Sequence, residues 1–213
     1  EWQAAANNPY AGYSMLDRTY FSECNPPLYL MKVSEVNFLR AEGALRGWNM
    51  GGTAQSFYEQ GIRTAYLEDR NFPIKKYANY VDDYLNAVAP KGIAYVDPQG
   101  LTPDMPSVTK IGVKWNEGDS KETKLEKIIT QKYIASFPYS YESWVDLRRT
   151  GYPKLFPILN TEHSDGTIKP GDPKVQTADN IMRRIPWVPG DPQTKEDIKA
   201  TGIPALSEDT NNK

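Results

Sequence analysis

The sequence predicts a mainly α protein, a helical bundle followed by a Pro-rich, loop-dominated C-terminal wrap with minor β. Three observations carry that expectation. Apolar residues recur at three- and four-residue spacing in several segments before Gly151, proline is frequent after it, and period-two alternation occurs in one short run, Val108 to Trp115. The expected organisation is a single domain over residues 1–213, with an irregular lead-in (1–25), a helical body (26–151) and an extended wrap (152–213).

The helical body is organised around Pro26 to Gly47, PPLYLMKVSEVNFLRAEGALRG. Prolines at its start, no interior proline and a glycine at its end are the punctuation of one helix of roughly five turns. Apolar residues fall on nearly every side, and only a stripe through Lys32, Glu35, Glu42 and Arg46 is polar. Such a helix is expected to be covered on most sides by other elements. Asn37 and Arg40 then fall on buried sides and need hydrogen-bond partners there.

Trp48 to Gly52 reads as a turn, after which Thr53 can cap a second helix carrying Ala54, Phe57, Tyr58, Gly61, Ile62, Ala65 and Tyr66. Ala54, Tyr58 and Gly61 share the small-aromatic-small spacing of a tetratricopeptide second helix; the rest of that repeat pattern is missing, so one tetratricopeptide-like helix pair is expected and an array is not. Pro73 opens a third helix with Tyr77, Tyr80, Val81, Tyr84, Leu85 and Val88 on one face. Val108 to Trp115 reads as an edge strand. Asp119 with Glu122 resembles a capping box for a helix through Leu125, Ile128, Ile129 and Tyr133. A shorter helix through Trp144 and Leu147 stops at Gly151, with Trp144 expected in the core. Repeated X-Pro pairs from Tyr152-Pro153 to Val188-Pro189 then impose extended backbone, with a small helix possible after Thr194.

Composition narrows the chemistry. Lys and Arg number 25 against 27 Asp and Glu, interspersed, so no basic stripe addresses nucleic acid. No run approaches the length of a transmembrane helix. The opening EWQAAANNPYAGYS carries no signal peptide, and a fragment of a longer protein is expected. Cys24 is the one cysteine, so no internal disulfide or cysteine zinc site can form, and a structural thiol is the default. His163, the one histidine, lies in a polar turn and supplies neither a metal pair nor a triad. No cofactor and no enzyme are expected. A glycoside hydrolase would need two carboxylates ~5–10 Å apart, which spacing in sequence does not reveal.

The chain is rich instead in aromatics, with 14 Tyr and 5 Trp. Tyr95, Trp115, Tyr139, Tyr141, Tyr152 and Trp187 lie in or beside irregular segments, where binding surfaces form. A flat ring with a polar edge suits stacking on sugars, so these six are the expected ligand-binding residues.

Three strings resemble one family. YLMKVSEVNFLRAEGALRGWNMGG, TAQSFYEQGIR and LEKIITQKYIASFPYSYESWVDLRRTGYPKLFP are similar to the C-terminal half of SusD/RagB-type outer-membrane lipoproteins of Bacteroidetes. The likeness rests on Glu42, on Gln131-Lys132, on Trp144-x-Asp146-Leu147-Arg148-Arg149-Thr150-Gly151 and on Arg184-Ile185-Pro186. The resemblance implies helix pairs, a lipid tether to the outer face of the outer membrane, and partnership with a TonB-dependent SusC-like porin. It also implies capture of oligosaccharide, or in some relatives peptide, without catalysis. A lipidated cysteine is absent from these residues and Cys24 has no lipobox. The Trp- and Asp-rich closing segment of the family is not recognisable after Pro189, and the strings carry over no ligand residue.

Overall fold

A computed structural model of the protein describes residues 29–68, 73–98, 100, 103–138, 141–156 and 196–202. The chain divides between Phe156 and Pro157 into two units. Among the described residues the first unit is mainly helical, with α1 (Val33–Leu45), α2 (Ala54–Glu68), a 3₁₀ helix (Pro73–Tyr80), α3 (Val81–Leu85), α4 (Lys121–Ser136) and α5 (Tyr141–Thr150).

Helix α1 starts later than Pro26. Its N-cap is Lys32, in extended conformation and without a side-chain cap, because the Lys32 ammonium has no lone pair with which to accept a helix N–H. It donates to Ala135 O at 2.9 Å and Phe137 O at 3.1 Å, capping the negative C-terminal end of α4. The other end falls as expected: Gly47 has φ +90°, Gly47 N donates to Ala44 O and Trp48 N to Gly43 O, a Schellman stop.

Phe38 and Ala41 of α1 face inward against α2 and α4. The expectation that the helix is covered on most sides is corrected here. Val33 is 63% exposed and Val36 and Leu39 are 40% exposed, because among the described helices α2 and α4 are the ones that close on it. Asn37 is buried and donates to Thr64 Oγ1, whereas Arg40 is exposed, stacked over Phe57 and donating to Met50 O at 2.8 Å.

Thr53 and Ser56 cap α2 reciprocally, each side chain accepting from the other's backbone N–H at 3.1 Å. Phe57, Tyr58, Gly61 and Ile62 turn inward. A Cβ at Gly61 would lie 2.8 Å from the Phe38 ring, so the glycine is what lets α1 and α2 approach.

The third helix departs from a regular stripe. Leu85 is buried and Val81 and Tyr84 pack on the core, but Tyr77, Tyr80 and Val88 are exposed. For the two tyrosines the reason is the change of winding: three residues per turn up to Tyr80 turns Tyr77 and Tyr80 off the face that α3 buries. The expected strand from Val108 to Trp115 is also corrected. Its alternation is real, since Val113 and Trp115 are buried, yet among the described residues the backbone finds no strand partner. Lys114 N donates to Ala87 O at 2.9 Å and Val113 O accepts the Tyr58 hydroxyl at 2.7 Å instead. Among the described residues β structure is limited to one bridge, Tyr95 with Met105.

Helix α4 is capped by Ser120, whose Oγ accepts from Thr123 N, and not by Asp119, which is taken by Lys127 Nζ at 2.6 Å. Ile128 and Ile129 are its buried pair. Gly151, at φ +74°, ends α5 as expected. Trp144 is not in the core: it is 44% exposed and lies under the Arg148 guanidinium. The core joins Phe38, Phe57, Tyr58 and Ile62 to Leu85, Val113, Trp115 and Ile128. In the second unit a turn of π-helix at Ile198–Gly202 is described, where a small helix is expected. Cys24, His163 and most of the expected wrap lie outside the described residues.

Candidate functional site

The surface around α1 is shaped by a chain of alternating charges. Arg46 and Arg149 both reach Glu42, with Arg46 Nη2 at 2.6 Å and Arg149 Nη2 at 2.9 Å. Arg149 also contacts Asp146 at 2.7 Å, Asp146 contacts Lys132 Nζ at 2.9 Å, and Lys132 closes on Glu35 at 3.3 Å. The series Arg46, Glu42, Arg149, Asp146, Lys132, Glu35 ties α1 to α4 and α5. Burial alone would push the Glu42 carboxyl up, but the hydrogen bonds and charges of Arg149 and Arg46 outweigh it and hold it below the usual carboxylate range. Glu42 therefore has no proton to give near neutrality.

Two grooves flank this series. A tyrosine groove of about 320 Å³ is lined by Tyr29, Lys32, Glu35, Ser136, Tyr141 and Glu142. A larger charged groove of about 790 Å³ runs past Val36, Leu39, Arg46, Trp48, Val145 and Arg149. Lys132 and Glu142 border both. Phenol rings, a carboxylate and a serine hydroxyl at one opening are groups that can stack on and hydrogen-bond a polyol.

Of the six residues expected to bind ligand, Tyr141 alone among the described ones stands open at a groove, at 90% exposure. Trp115 is corrected to the core. It is 6% exposed, its ring lies 5.1 Å from that of Tyr58, and its Nε1 donates to Glu117 at 2.8 Å. Tyr152 is corrected likewise. It is 7% exposed and its hydroxyl donates to Glu122, and burial with the charges of Glu122 and Glu126 pushes the phenol up to about 12. Tyr95 is half-buried, held by its bridge to Met105 and packed on Phe156. Tyr139 and Trp187 lie outside the described residues. Tyr29, Trp48, Tyr77 and Tyr80 are exposed or groove-lining aromatics that sequence reasoning assigned to a helix face or a turn. For Tyr77 and Tyr80 the available signal was their spacing of three after a proline, which suits a 3₁₀ turn.

Among the described residues no three His, Cys, Asp or Glu side chains converge as metal ligands, and no helix is long and apolar enough to cross a membrane. The profile of Susd and RagB outer membrane lipoproteins matches residues 3–212. The chain belongs to the SusD/RagB family. The match extends past both ends of the three strings, which run from Tyr29 to Pro157.

Solved structures of SusD homologues are similar in fold as well. One from Bacteroides uniformis is 37% identical with TM-score 0.67, covering 87% of this chain and 36% of its own. A chitin-binding SusD homologue from Flavobacterium johnsoniae is 38% identical with TM-score 0.65, covering 87% of this chain and 35% of its own. Another, from Bacteroides thetaiotaomicron, is 48% identical over 63% of this chain and 27% of its own, with TM-score 0.54. This chain thus spans about a third of the length of these relatives. No curated protein matches it. In this SusD-like chain the charged residues that carry the family likeness, Glu42, Lys132, Asp146 and Arg149, are the ones that bolt helices together.

Proposed function

We propose that this SusD/RagB chain serves non-catalytic capture of oligosaccharide at the outer face of the outer membrane and its delivery to a TonB-dependent SusC-like transporter. The observation that carries the reading is the 38% identity, over 87% of the chain, to a homologue that binds chitin. The tyrosine groove supports it, because Tyr29 and Tyr141 offer ring faces while Glu142 and Ser136 offer polar groups at the rim. The acids around α1 support capture over cleavage, since Glu42 and Asp146 are committed to cations and shape the surface without acting on a bond. In this reading the lipid anchor is a cysteine outside these residues.

The test is affinity electrophoresis of the protein through glycol chitin, amylopectin, xylan and mannan, beside a Tyr141→Ala variant. Retardation by at least one polysaccharide, weakened about three- to tenfold in the variant, is expected from the loss of one stacking ring, roughly 1 kcal/mol. Free migration through all four polymers would sink the sugar assignment.

A peptide-binding or protein-interaction role is favoured by one observation, the aliphatic row Val33, Val36 and Leu39 on α1. These side chains offer no hydrogen bonds to hydroxyls and suit a dry protein contact. Capture of a large outer-membrane barrel that is lost on Val36→Asp, with polysaccharide retardation unchanged, would assign that row to the transporter partner.

A further inference from the structure

The 3₁₀ helix Pro73–Tyr80 presents a feature that neither groove uses. With three residues per turn, side chains at i and i+3 eclipse one another. Tyr77 and Tyr80 consequently lie side by side, ring centroids 6.5 Å apart and planes inclined at 45°, and they are 48% and 55% exposed. Two large aromatics held together in water need an explanation that core packing does not supply.

Their base is fixed. The 3₁₀ helix runs straight into α3, where Leu85 is buried, Asp82 pairs with Arg63 of α2 at 2.6 Å, and the Tyr84 hydroxyl donates to Gln131 of α4 at 2.9 Å. Their rim is polar and uncommitted. Lys76, Asn79 and Asp83 are exposed and take no hydrogen bond or ion pair from the described protein. The Lys76 ammonium lies 4.9 Å from the Tyr77 centroid, an exposed cation–π contact that an incoming ring displaces at small cost. The aliphatic row of α1 is suited to a dry partner. Phenols set among free amide, ammonium and carboxylate groups are suited to a ligand with flat CH faces and many hydroxyls.

We infer that Tyr77 and Tyr80 form a second carbohydrate platform, on which adjacent sugar rings of one glycan stack while Lys76, Asn79 and Asp83 hydrogen-bond their hydroxyls. The inference rests on the glycan-capture reading above and adds a site built from none of the groove residues. Two weak sites on one rigid body raise the avidity for a long polymer over that for a short one.

The test compares the wild type with Tyr77→Ala/Tyr80→Ala and Tyr77→Phe/Tyr80→Phe variants by affinity electrophoresis in glycol chitin, amylopectin, xylan and mannan. The double alanine variant should bind its polymer at least tenfold more weakly, and the double phenylalanine variant within about threefold of wild type. Nitration of the wild type by tetranitromethane, read by mass spectrometry, gives a measure that needs no variant to fold: the retarding polymer should protect Tyr77 and Tyr80. Wild-type retardation with unchanged affinity in the alanine variant, or with no protection from nitration, overturns the platform and leaves glycan capture standing. Failure of every polymer to retard the wild type overturns both.

Discussion

Lys132 is the place where the charge series is most exposed to test. Its side chain is 4% exposed, between Asp146 at 2.9 Å and Glu35 at 3.3 Å. Lys132→Met keeps the length of the stem and deletes the ammonium. Removing one partner of a buried pair costs about 3–5 kcal/mol, because the other charge stays behind without compensation. Here Asp146 keeps Arg149 at 2.7 Å, and the Glu35 side chain retains 14% exposure, so the lower part of that range applies. We predict a loss of about 3–4 kcal/mol, a large share of the ~5–15 kcal/mol that holds a domain folded. Urea unfolding followed by tryptophan fluorescence reads it as a lower midpoint at unchanged slope. Adding Glu35→Gln removes the stranded carboxylate and should recover about 1–2 kcal/mol. A Lys132→Met protein within ~0.5 kcal/mol of wild type, or no recovery in the double variant, would refute the view that these charges are balanced as one unit.

Glu42→Gln should cost about 1–2 kcal/mol at neutral pH, discounted because Arg46 and Arg149 are 40% and 39% exposed and can turn to water. Since the folded-state carboxyl is held below its ordinary 4.5, the stabilisation is present above that value and fades as pH falls through the lowered one. Unfolding midpoints across pH 3–7 should converge for the two proteins on acidification, and a gap that widens in acid would contradict the assignment. Gly61→Ala puts a methyl 2.8 Å from Phe38, itself 1% exposed and unable to swing away. A net loss of about 1–2 kcal/mol and a lower Tm are expected even though alanine favours helix, and an unchanged Tm would show that α1 and α2 can part freely.

The parts of the fold that sequence made legible are those decided within a few residues. Gly47 and Gly151 stop helices because a positive φ is needed there, and Thr53 starts one because its hydroxyl reaches the third amide on. At Asp119 and Ser120 two competent caps stand side by side, and the choice fell to Lys127, eight residues away, which claims the aspartate. Periodicity showed which sides of α1 are apolar but not which sides have neighbours, so Val36 and Leu39 were placed in a core they do not enter. The aromatics fared similarly. Trp115, Tyr152 and Trp144 differ in burial because of what the chain brings against them from 30 or more residues away, such as Glu122 for Tyr152, and nothing in their flanking residues carries that information.

The hydroxyl of Tyr58, bonded to Val113 O from within the packed helix pair, moors the irregular stretch that leads to α4. Gly112 adds a second hold, with its backbone so near Val88 O that no side chain fits between them. Upstream of those two anchors Tyr95 pairs with Met105 and its ring packs on Phe156. That arrangement confines the burden: a side chain added at Gly112 pushes the stretch off the body, while the open positions Ile93 and Val96 can trade residues at little cost.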